Sequence, residues 1–332
     1  MPVTVPAGEF PANLRGGVVA IGNFDGVHRG HQMLLGVARD KAHELKRPWG
    51  LVTFEPHPRS FFRPAEPVFT LTPLRLKARL VAALGAQFVT ALTFDAGLAA
   101  MSPDDFVRRE LAERFGVVHV VTGYDFHFGH GRRGTTETMR EAGKQLGFGV
   151  SVIDQVTDDD GLAPFASSAI RDALRHGHPR DAGHELGYWW TVVGVVVEGD
   201  KRGRTIGFPT ANIRLEGGAE PFEGIYAMRV RDLDTGGRYH GAGYIGKRPT
   251  FDTNVSFLEV HLLGFNGDLY GHTMMVEIVD LIRPDKKFNS VDELVTQMKR
   301  DCDSVRIVLD DLQKNDPLTE YPLGRLQSAG KI

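Results

Sequence analysis

His28 and His31 stand three residues apart inside Gly22-Asn23-Phe24-Asp25-Gly26-Val27-His28-Arg29-Gly30-His31, a stretch with three glycines. On a helix that spacing puts both imidazoles on one face. If a helix begins here, its free N-terminal amides and the positive end of its dipole favour an anion, and the glycines let the backbone approach it closely. A phosphate is the expected guest. His-x-x-His is equally the spacing of a surface pair or of half a metal site. Zinc would need further ligands at fixed spacing, and the only cysteine, Cys302, lies far along the chain.

The flanking runs have to hold this turn. Gly17-Val18-Val19-Ala20-Ile21 carries no charge, which suits a strand buried on both faces of a parallel sheet. Beyond the turn, Leu34, Ala38, Ala42 and Leu45 recur at three or four and make the core face of a helix. The alternation continues to about residue 185, with strands expected at Leu51–Phe54, Phe88–Thr93, Val117–Val121 and Val150–Ile153. Helices are expected at Gly30–Lys46, Leu74–Leu84, Pro103–Phe115 and Thr135–Leu146. The third has a marked start: Ser102 as cap, Pro103 first, Asp105 three past the cap. This pattern predicts a doubly wound α/β sheet, in which ligands bind at the carboxyl ends of the strands.

Two further strand ends, and a later segment, carry candidate groups. Phe54-Glu55-Pro56-His57-Pro58 has two prolines that stiffen a turn and offer apolar faces to a flat ring, though a plain loop has the same composition. Gly123-Tyr124-Asp125-Phe126-His127-Phe128-Gly129 sets three aromatics around one carboxylate. In Phe165-Ala166-Ser167-Ser168-Ala169-Ile170-Arg171, two hydroxyls precede a helix bearing an arginine, and ordinary caps would look the same. Gly129-His130-Gly131-Arg132-Arg133-Gly134 matches a dinucleotide fingerprint but starts eight residues after the strand-like run ends at Val121. Gly241 to Lys247 has Walker spacing, but Arg248 replaces the magnesium-binding hydroxyl.

After Gly187-Tyr188-Trp189-Trp190 the pattern becomes β-branched: Thr191–Val197, Ile225–Val230, Arg238–Ile245, Phe257–Leu263 and Met274–Leu281, separated by glycine-bearing turns. An antiparallel β-barrel is expected. A last helix is marked by Val291, Leu294, Val295, Met298, Cys302, Val305, Leu309 and Leu312, with a polar tail from Gln313. Between the first two runs, Gly199-Asp200-Lys201-Arg202-Gly203-Arg204-Thr205-Ile206-Gly207-Phe208-Pro209-Thr210-Ala211-Asn212 joins a basic glycine-rich loop to a hydroxyl and an amide two apart. Those are the parts of a magnesium-nucleotide site: amides and cations for phosphate, hard oxygens for Mg²⁺.

The 332 residues suggest two domains, and 42% hydrophobic residues suffice for packed cores. A formal charge of −3 gives no basic footprint for nucleic acid, and no run reaches the length of a membrane span. Met1 to Gly16 lacks a basic cluster followed by an apolar core, so a cytoplasmic location is expected and the Asn254 sequon would be idle there.

The full spelling of the first turn resembles the His-x-Gly-His signature of nucleotidyltransferases, in the longer form of the bacterial bifunctional riboflavin kinase/FAD synthetases. The 199–212 segment resembles that family's kinase signature almost letter for letter. Gly224-Ile225-Tyr226-Ala227, the run Ile245 to Phe251 and Leu258-Glu259-Val260-His261-Leu262 follow in the family's order, so the likeness covers roughly residues 17–312. It implies an FMN adenylyltransferase domain at 1–186, a riboflavin kinase domain at 187–314 and a tail at 315–332. In the first, it implies that Gly22, Asn23, Phe24, Asp25, Gly26, Gly30, Ser167, Ser168 and Arg171 bind ATP, with His28 and His31 catalytic, and that Pro56, His57, Pro58, Asp125 and Phe128 line the flavin. In the second, it implies Glu259 as base, Thr210 and Asn212 at the metal, and Gly199, Lys201, Gly203, Arg204, Gly207, Phe208, Pro209 and Arg248 around ATP and flavin. Riboflavin, FMN and ATP are the implied partners, with Mg²⁺ as cofactor. Three positions depart from the family pattern: Ala166 for a serine, Tyr244 for a frequent asparagine, and Gly264 for a common aspartate. The likeness leaves two rivals to set against it, an adenylyltransferase for a pantetheine or nicotinamide nucleotide and a flavin binder without catalysis.

Overall fold

All four side chains of Val18–Ile21 are buried, and this uncharged run forms β2 at the centre of a parallel sheet. The computed structural model describes residues 3–5 (as backbone), 10–157, 161, 163–199, 203, 206–215, 218–247 and 256–332. They fall into two compact units, one of Met1–Val68, Thr72–Ala166 and Lys331–Ile332, the other of Phe69–Leu71 and Ser167–Gly330.

In the first unit the strands are β1 Val3–Val5, β2 Val18–Ile21, β3 Trp49–Glu55, β4 Phe88–Thr93, β5 His119–Gly123 and β6 Gly149–Ile153. Their spatial order is β1-β4-β3-β2-β5-β6, with every pair parallel. The chain runs outward from β2 through β3 to β4, then returns to the other side of β2 for β5 and β6. That reversal is the double winding expected, and it opens a crevice where β2 and β5 part. The helices are α1 Arg29–Leu45, α2 Pro58–Phe62, α3 Leu74–Ala83, α4 Ala96–Ala100, α5 Pro103–Asp105 and α6 Thr136–Leu146. Ser102 caps α5 as expected, accepting from the Asp105 N–H at 3.1 Å, but the helix continues over Phe106–Arg114 as wider π-helical turns. Val19, Ile21, Val52, Phe54, Phe88 and Phe106 share one core. β1, α2 and α4 are too short to show a period and lie outside the expected elements.

In the second unit the strands are β7 Thr191–Val197, β8 Ala211–Arg214, β9 Gly224–Asp232, β10 Arg238–Lys247, β11 Ser256–Leu262 and β12 Thr273–Pro284. They close an antiparallel barrel in the order β10-β11-β8-β7-β12-β9. Two helices, α7 Ser167–Arg175 and α8 Pro179–Leu186, precede the barrel. The helix Val291–Lys314 packs Val305, Leu309 and Leu312 with Trp189, Ala227, Val279 and Leu318. β8 is a strand that the sequence pattern does not predict, since its four residues close a polar glycine-rich stretch.

Residues 315–330 are not a loose tail. A 3₁₀ turn, Pro317–Glu320, and a helix, Pro322–Ser328, bury Leu318, Leu323 and Gln327. The Gln327 amide accepts from Trp189 N–H at 2.7 Å and donates to Trp189 O at 3.0 Å and Thr191 Oγ1 at 2.9 Å. Asp316 accepts from Trp189 Nε1 at 3.2 Å and pairs with Arg229 at 2.9 Å. Three leucines among polar residues are too few to announce such a packed end.

Candidate active sites

The turn after β2 is tightly wound: Phe24 and Val27 have φ of 47° and 42°, a left-handed conformation that bulky and β-branched residues rarely adopt, and Gly26 has φ of 89°. Such strain persists only where neighbours over-determine it. Thr72 does so from the strand-side loop, accepting from Gly26 N–H at 2.8 Å while its own N–H donates to Asp25 Oδ1 at 3.0 Å. His28 caps α1, its Nδ1 accepting from His31 N–H at 3.4 Å, which leaves the proton on Nε2 in the neutral ring. The two imidazoles stack at 3.6 Å, and the Phe24 ring lies 4.7 Å from His31. Burial first, then the neighbouring His28 and Lys77, lower the His31 pKa well below that of free imidazole. At pH 7 His31 is therefore neutral. Its Nδ1 is sealed from solvent and has no hydrogen-bond partner among the described residues.

Gly30 explains the small residue between the histidines. A Cβ there would sit 3.3 Å from both the His28 ring and the Phe165 Cβ, so a side chain would press on the ring that caps α1 and on Phe165. Phe165 also carries the Arg29 guanidinium over its ring at 4.6 Å.

The other strand ends adjoin this turn, because β3, β2 and β5 are neighbours in the sheet. After β3, Glu55 and Pro56 are joined by a cis peptide bond, His57 caps α2 by accepting from Arg59 N–H at 3.1 Å, and Pro58 opens the helix. Phe62, 63% exposed, packs against Phe61 and Phe94 at 5.2 and 5.7 Å and presents a bare aromatic face. After β5, Asp125 is exposed, whereas Phe128 is buried between Phe126 and Phe106. Gly129–Gly134 forms a short turn away from any strand end, so it has no dinucleotide-binding geometry. Ser167 and Ser168 begin α7 in the second unit, and Arg171 donates from Nε to Phe69 O at 2.7 Å.

In the barrel, Asn212 on β8 is the direct partner of Glu259 on β11, and Glu259 is in turn the partner of Tyr244 on β10. Partners in an antiparallel ladder share a face, so these three side chains form a row. Burial alternates along β11: Leu258, Val260 and Leu262 are inside, and Glu259 and His261 are half-buried on the other face. Asn212 Nδ2 donates to Thr210 O at 3.3 Å, and Gly199 lies so close to the Asn212 amide that a Cβ would strike it. Gly203 accepts from Phe208 N–H at 2.8 Å, closing the glycine loop, and Gly207 takes φ of 85°. Lys201, Arg204 and Arg248 lie outside the described residues. Burial, followed by Asp285, Glu223 and Glu259, pushes the Tyr244 phenol up to about 12, so it stays neutral beside Glu259. Gly264 has φ of 76° in the turn after β11, a left-handed conformation that glycine adopts without strain.

Two groups escaped sequence reasoning. His261 donates from Nδ1 to Pro209 O at 2.9 Å and packs its ring 5.1 Å from Phe208, tying β11 to the glycine-rich loop. Two residues past Glu259 on the same face, it could have been found from strand periodicity. Lys77, in the middle of α3, is 4% exposed and donates to Asn23 O at 2.7 Å beneath the histidine turn. Nothing in its sequence context marks it.

Residues 10–164 match the FAD synthetase family model, and residues 186–309 match the riboflavin kinase family model. The chain is 37% identical to the bifunctional riboflavin kinase/FMN adenylyltransferase of Haemophilus influenzae over 88% of this chain and 94% of that one. With the enzyme of the same name from Escherichia coli K12 it shares 38% identity over 86% and 90%. A solved structure described as a macrolide-efflux protein from Streptococcus pneumoniae superposes with a TM-score of 0.79 at 31% identity, covering 91% of this chain and 98% of that one. Among the described residues no helix is long and apolar enough to cross a membrane.

Proposed function

The chain belongs to the bifunctional riboflavin kinase/FMN adenylyltransferase family, and from that membership we propose how its residues divide the two reactions. It phosphorylates riboflavin with ATP to FMN and adenylylates FMN with a second ATP to FAD and pyrophosphate. We assign the kinase to 187–314, the adenylyltransferase to 1–186, and the place of action to the cytoplasm.

In the kinase reaction Glu259 takes the proton of the riboflavin 5′-hydroxyl as its oxygen bonds to the γ-phosphorus of ATP and the bond to ADP breaks. The observation that carries this reading is the pairing of Glu259 with Asn212, which sets a carboxylate beside the amide and hydroxyl of the 210–212 segment. Mg²⁺ is a hard cation that takes oxygen ligands, and the Thr210 hydroxyl and Asn212 carbonyl are of that kind. They would hold it with the ATP phosphates, where it neutralises their charge. Lys201, Arg204 and Arg248 are assigned to the nucleotide and flavin on sequence alone.

In the adenylylation an FMN phosphate oxygen bonds to the α-phosphorus of ATP, and the bond to pyrophosphate breaks. His28 and His31 donate ring N–H groups to the phosphate oxygens as charge builds on them, beside the amides of α1. Pro56, His57, Pro58, Asp125 and Phe128 are assigned to the flavin side, and the exposed Phe62 joins them as a surface for its ring. Ser167, Ser168 and Arg171 are assigned to ATP phosphate from the resemblance of their segment.

Purified protein supplied with riboflavin, ATP and Mg²⁺, its products resolved by chromatography, tests the whole. FMN should appear first and FAD after it. Flavin binding without ATP consumption would overturn the proposal.

A further inference from the structure

Lys77 lies on the core face of α3, among Leu76, Leu80 and Val81, and only 4% of it is exposed. An ammonium so deep is costly unless it is paired. Among the described residues it has no ion pair. Its hydrogen bonds go to Asn23 O at 2.7 Å and Thr53 Oγ1 at 3.3 Å, and Thr53 Oγ1 itself donates to Asn23 O at 3.0 Å. Burial lowers the lysine pKa, while Asp25 and Glu55 hold it up from a distance. One carbonyl of the histidine turn is thus gripped twice, once by a buried cation.

The grip has a geometric result. In a trans peptide the carbonyl of one residue and the N–H of the next point in opposite directions, and the only cis bond among the described residues is Glu55-Pro56. Drawing Asn23 O down onto Lys77 therefore turns the Phe24 N–H away from α3. That N–H has no partner among the described residues. Phe24 is also left-handed, at φ 47°, and such a residue within a turn directs successive amides into an anion-binding concavity.

Resting on the adenylyltransferase reading above, we propose that Lys77 is a positioning residue: by holding the Asn23 carbonyl it aims the Phe24 N–H at a phosphate oxygen of ATP. The long apolar stem packs in the core, and the charged end fixes a strained peptide that a weaker donor would let rotate. The buried charge is kept for orientation.

Asn23-Phe24 is the only Asn-Phe pair in the sequence, so ¹³C-carbonyl asparagine with ¹⁵N-phenylalanine labelling reports a single amide. In the parent, a non-hydrolysable ATP analogue with Mg²⁺ should shift the Phe24 resonance. In Lys77→Met, which keeps the stem, that shift should collapse. Adenylylation kcat/KM for ATP should fall about 10²-fold, the scale of one lost oxyanion donor. KM for FMN and the riboflavin kinase rate should stay within about twofold, which also certifies folding. Lys77→Gln, a neutral donor and the fallback if the methionine variant misfolds, should lie between. An unchanged Phe24 shift in a folded variant, or a parent resonance indifferent to the nucleotide, overturns the proposal. His31→Ala separates the two readings: if it stops FAD formation while Lys77→Met does not, the lysine assignment alone is wrong, and if neither does, the site is.

Discussion

Glu259 and Asn212 are directly paired across β11 and β8 although 47 positions separate them in the chain. Their side chains share one face, joined there by Tyr244 from β10. Glu259→Gln keeps the shape and removes the basicity. Riboflavin phosphorylation should fall by ~10²–10⁴, the usual contribution of a general base. The same variant given FMN should make FAD at close to the parent rate, since its substrate arrives phosphorylated. Parallel assays with the two flavins check this, and loss of neither activity would make Glu259 a structural carboxylate.

Gly30→Ala tests the histidine turn by bulk rather than chemistry. Its methyl would meet the His28 ring and Phe165 at 3.3 Å, so these neighbours must give by a few tenths of an ångström. FAD formation from FMN should drop about tenfold or more, as misplacement of a reacting group does. The kinase rate should not change.

His272 on the barrel offers a test by pH. Its Nδ1 lies 2.8 Å from Asp232 Oδ2, and that hydrogen bond is the main cause raising its pKa. Burial alone would raise Asp232, but the bonds from His272, Thr235 and the Asp234 and Thr235 amides hold it at about 2. A histidine whose folded pKa is raised stabilises fully below its unfolded value near 6.5, and that stabilisation is lost as pH climbs through the folded value. The melting temperature of the parent should exceed that of His272→Gln at pH 6, and the gap should narrow by pH 9. An equal gap at both would show the charge to be irrelevant.

Gln327 tests the packed C-terminus. Gln327→Ala leaves the buried Trp189 N–H without its partner, at a cost of about 1–3 kcal/mol. Thermal melts should show the loss, while FAD formation from FMN at a permissive temperature should not.

Much of this was legible in the sequence for a physical reason. The β2 run, the α1 face as far as Ala42 and the barrel strands are local periodic patterns, whereas Leu45, expected on that face, is exposed at the end of the helix. What was not legible depends on partners distant in the chain. Lys77 reads as one charge among Arg75 and Arg79 until α3 is seen beneath Asn23. His261 reads as a polar strand residue until Pro209 folds onto it. β8 hides inside a loop because its strand pairing comes from β7 and β11, which lie elsewhere in the chain. Gln327 shows no hydrophobic signal, because what it supplies is a pair of polar groups for a buried tryptophan.

The two sheets also differ in what they leave open to other molecules. A barrel closed through β9 and β10 has every strand paired on both sides, so a foreign strand has no row of free amides to copy. Among the described residues the parallel sheet ends at β1 and β6, and each has a strand neighbour on one side only. Self-association or aggregation by strand addition is therefore directed to the nucleotidyltransferase unit. Charged or proline substitutions meant to raise solubility belong on Gly149–Ile153 and Val3–Val5 rather than anywhere on the barrel.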